Sequence, residues 1–149
     1  MSKQVLTVTS DLKNLGSICR FVAGAASDMG MDDDTLYDLQ LAVDEACTNV
    51  MDYAYQGRSG QPLTVECTEE DGKCVVVIRD CGRAFDPTHV QSPDVTSPLS
   101  RRQVGGLGIF LMRKLMDDVC FRFDARTGNE VTMIKAIKPR RPETSAGSA

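Results

Sequence analysis

The stretch Leu39-Gln-Leu-Ala-Val-Asp-Glu-Ala-Cys-Thr-Asn-Val50 has the period of an α-helix with two working faces. At about 100° per residue, Leu36, Leu39, Val43, Ala46 and Val50 fall on one stripe, while Glu45, Thr48, Asn49 and Asp52 gather roughly opposite. The first stripe is what a helix buries against a core. The second sets a carboxylate, Glu45, one turn before an amide, Asn49, so that both side chains can converge on one ligand. A carboxylate beside a neutral amide oxygen suits a hard cation such as Mg2+ together with a group that can take a proton. The same stripe, interrupted by Leu41, is equally what a solvated polar face looks like.

Working outward, the acidic run Asp32, Asp33, Asp34 starts this helix by offering carboxylates to its free amides, and Gly57 stops it after about residue 55. Upstream, residues 4–9 alternate as a half-buried strand does, with Val5, Thr7 and Thr9 against Leu6 and Val8. Ser10 or Asp11 then caps a helix with apolar positions Leu12, Leu15, Cys19, Val22, Ala26 and Met29, ending at Gly30. Downstream, strands over 63–69 and 74–80 are joined through Asp71-Gly72, a strong hairpin signal. The second of them, Cys74-Val-Val-Val-Ile78, is apolar throughout, which predicts a central strand covered on both faces. Residues 81–104 lose periodicity and gather Gly82, Pro87, Pro93 and Pro98, the mark of a long functional loop. A glycine-rich turn, a third helix and strands over 119–123 and 130–137 follow, the strands flanking a turn with Gly128 and Asn129. The order β-α-α-β-β-loop-α-β-β predicts a two-layer α/β (α+β) sandwich with helices on one face of the sheet. Residues 1–138 read as one domain, and 139–149, without an apolar pattern, as a disordered tail.

The 149 residues are a one-domain length with room for one site. Hydrophobic residues at 42% and charged residues at 26% are the balance of a soluble globular chain. A net charge of −4 gives no broad attraction to nucleic acid or anionic lipid. Every apolar run falls short of the roughly 18 residues a membrane span needs, and the N-terminus lacks a secretory pattern, so the expected location is the cytoplasm. The six cysteines form no C-x-x-C pair and His89 is the single histidine, which points to buried free thiols rather than disulfides or structural zinc.

Two further clusters carry chemistry. Asp80-Cys-Gly-Arg-Ala-Phe-Asp-Pro87 ends the apolar strand with a carboxylate that needs donors, and an exocyclic amine of a base can supply one. Gly82 would let a flat ring approach the backbone. The same segment also fits a plain strand end and turn. Gly105-Gly-Leu-Gly-Ile-Phe-Leu111 exposes amides at a helix N-terminus, which is a sufficient phosphate cradle, though close glycine packing has the same signature. It lacks the Lys and Ser/Thr of a P-loop and the spacing of a dinucleotide fingerprint. Arg101 and Arg102 just upstream suit phosphate oxygens or solvent.

In order and spacing these clusters resemble one family, the GHKL ATPases, which include histidine kinase catalytic domains and type II topoisomerases. Leu39 to Val50 looks like the N box, Asp80-Cys-Gly-Arg-Ala-Phe-Asp86 like the G1 box, and Gly105 to Leu111 like the G2 box. The length, and the Tyr-Ala-Tyr-Gln-Gly run after the N box, most resemble the anti-sigma factor serine/threonine kinases of bacterial partner-switching systems. The resemblance implies a Bergerat-type ATP-binding fold with a mixed, mostly antiparallel sheet. It implies ATP and Mg2+ as cofactors, with Asn49 as Mg2+ ligand and Glu45 as general base. It implies Asp80 as acceptor for the adenine amino group, Gly82 beneath the base, and Gly105, Gly106 and Gly108 around the triphosphate. Asp52, Tyr53, Phe85, Leu107, Arg101 and Arg102 complete the implied nucleotide contacts, and residues 88–104 would form a lid. Members of this branch commonly carry His where this chain has Tyr53; a phenol donates a hydrogen bond but does not shuttle protons near neutral pH.

The implied function is an ATP-dependent protein kinase that phosphorylates an anti-anti-sigma (STAS-type) antagonist and sequesters a sigma factor. Homodimers would form through the first strand and helix, with neither nucleic acid nor membrane as direct partner. The alternative is a non-catalytic nucleotide-binding module that works by sequestration only. Glu45 and Asn49 together favour the kinase, and Tyr53 leans toward the binder.

Overall fold

The computed structural model describes residues 3–84 and 106–137. Strand β1 (Gln4–Thr9) pairs with β2 (Pro62–Glu70), and β2 with β3 (Lys73–Asp80), through the expected hairpin. Asp71 and Gly72 both sit at positive φ, 50° and 75°, the backbone that a tight two-residue hairpin turn requires. Strand β5 (Gly128–Ala136) enters between β3 and β4 (Asp118–Asp124), so the sheet runs β1-β2-β3-β5-β4 with all four pairings antiparallel. This order makes β3 the central strand and brings its C-terminal end, Asp80, opposite Asn129 at the start of β5.

Helices cover one face. Helix α1 (Leu15–Asp28) buries Ile18, Val22, Ala25 and Ala26, and α2 (Asp33–Asn49) buries Leu39, Ala42, Val43 and Ala46. Helix α3 (Gly106–Leu115) adds Ile109 and Met112. Beneath them lie Leu63, Val65 and Cys67 of β2, Cys74, Val76 and Ile78 of β3, and Val131 and Met133 of β5. This is the two-layer arrangement that the element order predicts. The Asp32 carboxylate caps α2, accepting from the Thr35 amide at 2.8 Å. Among the described residues, no helix is long and apolar enough to cross a membrane.

Three expectations are corrected. The first helix does not begin at a Ser10 or Asp11 cap: a 3-10 turn, Leu12–Asn14, precedes α1, and Leu12 is 62% exposed. Ser10 and Asp11 are engaged elsewhere. The Ser10 hydroxyl donates to the Arg58 carbonyl and accepts from the Gln61 amide, tying the end of β1 to the approach to β2, and the Asp11 carboxylate accepts from the Thr9 hydroxyl. Strand β3, though central, is not covered by a layer on both sides. Val75 and Val77 are half-buried among side chains of the outer sheet face, where Glu66 pairs with Lys3 and Arg79, and Arg79 also with Glu130. Finally, α2 does not run on as an α-helix to residue 55, because it passes into a π-helical turn, Val50–Ala54, closed by the Tyr55 amide donating to the Val50 carbonyl at 2.9 Å.

Candidate functional site

The polar stripe of α2 does not simply face water. Glu45 and Asn49 are half-buried because the start of α3 lies against them. A Cβ added to Gly108 would stand 2.9 Å from Glu45 Oε2 and 3.3 Å from Asn49 Nδ2, so a larger residue there would displace these two side-chain ends. Asn49 Nδ2 is buried and has no hydrogen-bond partner among the described residues. A buried donor with nothing to donate to is costly, and an oxygen-rich anion beside it would remove the cost. Burial, and then the neighbouring charge of Asp44, push the Glu45 carboxyl above its ordinary value. A carboxyl shifted in that direction is better matched to accepting a proton near neutral pH than an ordinary surface glutamate.

The π-helical turn shapes the next wall. Such turns are rare and recur at functional sites. Here it aims the Ala54 carbonyl at the loop after β3, where it accepts from the Arg83 amide at 2.8 Å. Gly82 is pressed against the same group: a Cβ there would lie 2.5 Å from Ala54 O. The structure thus gives Gly82 a packing role against Ala54. Tyr53, half-buried on the turn, carries the Arg83 guanidinium 4.3 Å from its ring centroid, a cation–π stack. Tyr55, 1% exposed, braces the loop from below, its hydroxyl donating to the Pro62 carbonyl at 2.5 Å and accepting from the Cys81 amide at 2.7 Å.

Asp80, 4% exposed, ends β3 at the floor of the pocket. Its Oδ1 accepts from the Gly82 amide at 2.8 Å and from Asn129 Nδ2 at 2.9 Å. Burial pushes the carboxyl up, and these two hydrogen bonds hold it down. An acidic oxygen fixed in an apolar pocket is a recognition element for an N–H donor on a flat ligand.

The pocket brings together Asn49, Tyr53 and Asp80, with Met112, Arg122 and Asn129 also in its lining. Glu45 stands one turn before Asn49, beside Gly108. Asp52 is exposed and outside the lining. Gly106, Leu107 and Gly108 form the first turn of α3, as a cradle of helix-end amides requires. Phe85, Arg101, Arg102, Gly105 and the expected lid over 88–104 lie outside the described residues. Sequence reasoning misses Asn129, which it assigns to a turn. A buried asparagine beginning a strand is a signal, but its meaning needs the β3–β5 register.

The model of the histidine kinase-like ATPase domain family matches residues 8–135. The serine-protein kinase RsbW of Listeria monocytogenes is 34% identical over 131 residues, covering 85% of this chain and 82% of that protein. The serine-protein kinase RsbW of Bacillus cereus is 32% identical over 126 residues, covering 82% and 77% respectively. Among solved structures, the RsbU and RsbW domains of Rv1364c from Mycobacterium tuberculosis superpose on 95% of this chain with a TM-score of 0.68. At 14% identity that is a likeness of fold, and this chain spans about a third, 34%, of that one.

Proposed function

The chain belongs to the histidine kinase-like ATPase domain family, and from that premise we propose that it is an ATP-dependent protein serine/threonine kinase acting as an anti-sigma regulatory factor. Similarity to serine-protein kinases over most of their length supports the kinase and anti-sigma role. In the finer reading, the chain works in the cytoplasm as a homodimer, phosphorylates a STAS-type anti-anti-sigma antagonist and, in the other partner state, holds a sigma factor.

The observation that carries this reading is the buried Asn49 Nδ2, without a hydrogen-bond partner among the described residues, one turn from Glu45 and with Gly108 packed closely against both side chains. The residues fit a metal–nucleotide pair. Asn49 Nδ2 would donate to a phosphate oxygen and Oδ1 would face the Mg2+, which when bound offsets charge on the phosphates. Among the described residues no cluster of three or more His, Cys, Asp or Glu side chains could hold a metal, so the nucleotide's own phosphates would supply much of the coordination. Asp80 would accept from the adenine amino group, with Gly82 keeping the loop beneath the base against Ala54. Amides at Gly105 to Gly108 would hold the triphosphate, with Phe85, Leu107, Arg101 and Arg102 as further contacts. Glu45 would receive the proton of the attacking serine or threonine hydroxyl as its oxygen bonds to the γ-phosphorus and the bond to the β–γ bridging oxygen breaks, leaving ADP.

Incubation with Mg2+, γ-labelled ATP and STAS-type antagonist proteins tests this. Label on a serine or threonine of the antagonist that disappears with Glu45→Ala is expected. Tight ATP binding with no labelled partner would instead establish the sequestering module.

A further inference from the structure

We propose that Asn129 is a positioning residue that leaves Asp80 with one open acceptor oxygen and thereby sets the pocket's preference for a 6-amino purine over a 6-oxo purine. The inference rests on the nucleotide-site reading above and goes beyond it to the choice of base. Asn129 is 8% exposed and, as the second residue of β5, lies directly opposite Asp80. Its amide donates to Asp80 Oδ1 at 2.9 Å and to the Arg83 carbonyl at 2.8 Å, with the Gly82 carbonyl at 3.4 Å. One side chain therefore fixes both the carboxylate and the loop that leads away from it. With the Gly82 amide also on Oδ1, that oxygen has two donors, while among the described residues none donates to Oδ2.

A carboxylate held this way cannot exchange its two oxygens or turn aside, so a ligand in the pocket meets Oδ2 as a pure acceptor. The N–H of a 6-amino group satisfies it. A 6-oxo group sets an acceptor against an acceptor, and a site built for one polarity rejects the other strongly because its own buried group is left unpaired. Without Asn129 only the Gly82 amide holds Asp80 Oδ1, and burial, less opposed, drives the carboxyl toward the protonated form, which can donate to a 6-oxo group. Loss of Asn129 therefore weakens ATP while relieving the penalty on ITP, which has the same sugar and phosphates.

Calorimetric titration of the full chain with Mg·ATP and Mg·ITP tests this in wild type, Asn129→Leu, Asn129→Thr and Asp80→Asn. Wild type is expected to prefer ATP. Asn129→Leu is expected to lose about tenfold in ATP affinity, the scale of one charge-assisted hydrogen bond, and less in ITP affinity, so that the ATP/ITP ratio falls. Asn129→Thr, which keeps one hydroxyl donor, restores part of the ratio. If leucine prevents folding, as seen by circular dichroism, Asn129→Ala takes its place under the same criterion. Equal losses for both nucleotides, or a threonine ratio as low as that of leucine, would overturn the inference by reducing Asn129 to a packing role. Wild type binding neither nucleotide overturns the nucleotide-site reading and this inference with it. Wild type binding ATP and Asp80→Asn losing it, with the ratio unmoved in Asn129→Leu, overturns this inference alone.

Discussion

Two glycines at the site lack a Cβ for different reasons, and the difference separates activity from stability. An alanine Cβ at 108 would meet the ends of two side chains, Glu45 Oε2 at 2.9 Å and Asn49 Nδ2 at 3.3 Å. Side-chain ends can shift, so the fold should tolerate Gly108→Ala at a cost of about 1 kcal/mol or less, below the usual penalty of overpacking. The shift lands on the proposed base and metal ligand, and phosphoryl transfer should fall on the order of ten- to a hundredfold, the scale of a small misplacement. Gly82→Ala instead meets a backbone carbonyl, Ala54 O, at 2.5 Å, and should lose about 1–3 kcal/mol in urea denaturation. Equal effects of the two variants on activity and on stability would refute the distinction. As the proposed base, Glu45 should set the acid limb of the pH–rate profile. A base must be ionised to act, so the rate rises as pH climbs through its pKa, and burial together with Asp44 places that rise above the ordinary 4.5. Asp44→Asn removes the like charge and should move the limb to lower pH, while Glu45→Gln removes the limb with most of the rate.

Among the elements, the π-helical turn and the loop after β3 depend on each other through Tyr55, whose hydroxyl joins the Pro62 carbonyl to the Cys81 amide. Tyr55→Phe leaves both backbone groups short of a partner in a buried place. It should cost about 1–3 kcal/mol, read as a lower urea midpoint with an unchanged m-value; a loss below about 0.5 kcal/mol, the lower bound for one net hydrogen bond, would show the bridge to be dispensable. The π turn also marks where sequence periodicity stops being informative. Val50, Met51 and Ala54 are buried in it much as they would be in an α-helix, so the apolar pattern continues across the change. The core stripe of α2, its Asp32 cap and the Asp71-Gly72 hairpin are legible because each depends on residues within a few positions. The start of α1 is not, because Ser10 is used by Arg58 and Gln61, about fifty positions away in the chain.

At the scale of the whole molecule, the site is assembled by topology. Glu45, Asn49 and Asp80 are legible as residues of suggestive type and spacing, but Asn129 reaches Asp80 across 49 positions of sequence, through a β3–β5 pairing that no local pattern announces. Arg122 joins the pocket from the neighbouring strand β4 by the same route. A ligand bridging α2, the π turn, the loop after β3 and β5 should therefore stabilise the domain as a unit. Binding to the folded state alone adds about 2.7 kcal/mol at a ligand concentration one hundred times Kd. For a domain of this size that is a rise in Tm of about 5–10 °C with Mg·ATP. Asp80→Asn should lose most of the rise at the same ATP concentration, because the base then meets a neutral amide in place of the carboxylate. Mg2+ without nucleotide should produce little, since among the described residues no acidic cluster could hold it unaided. A full shift from Mg2+ alone, or an undiminished one in Asp80→Asn, would mean that the stabilising ligand binds somewhere other than the pocket between Asn49 and Asp80.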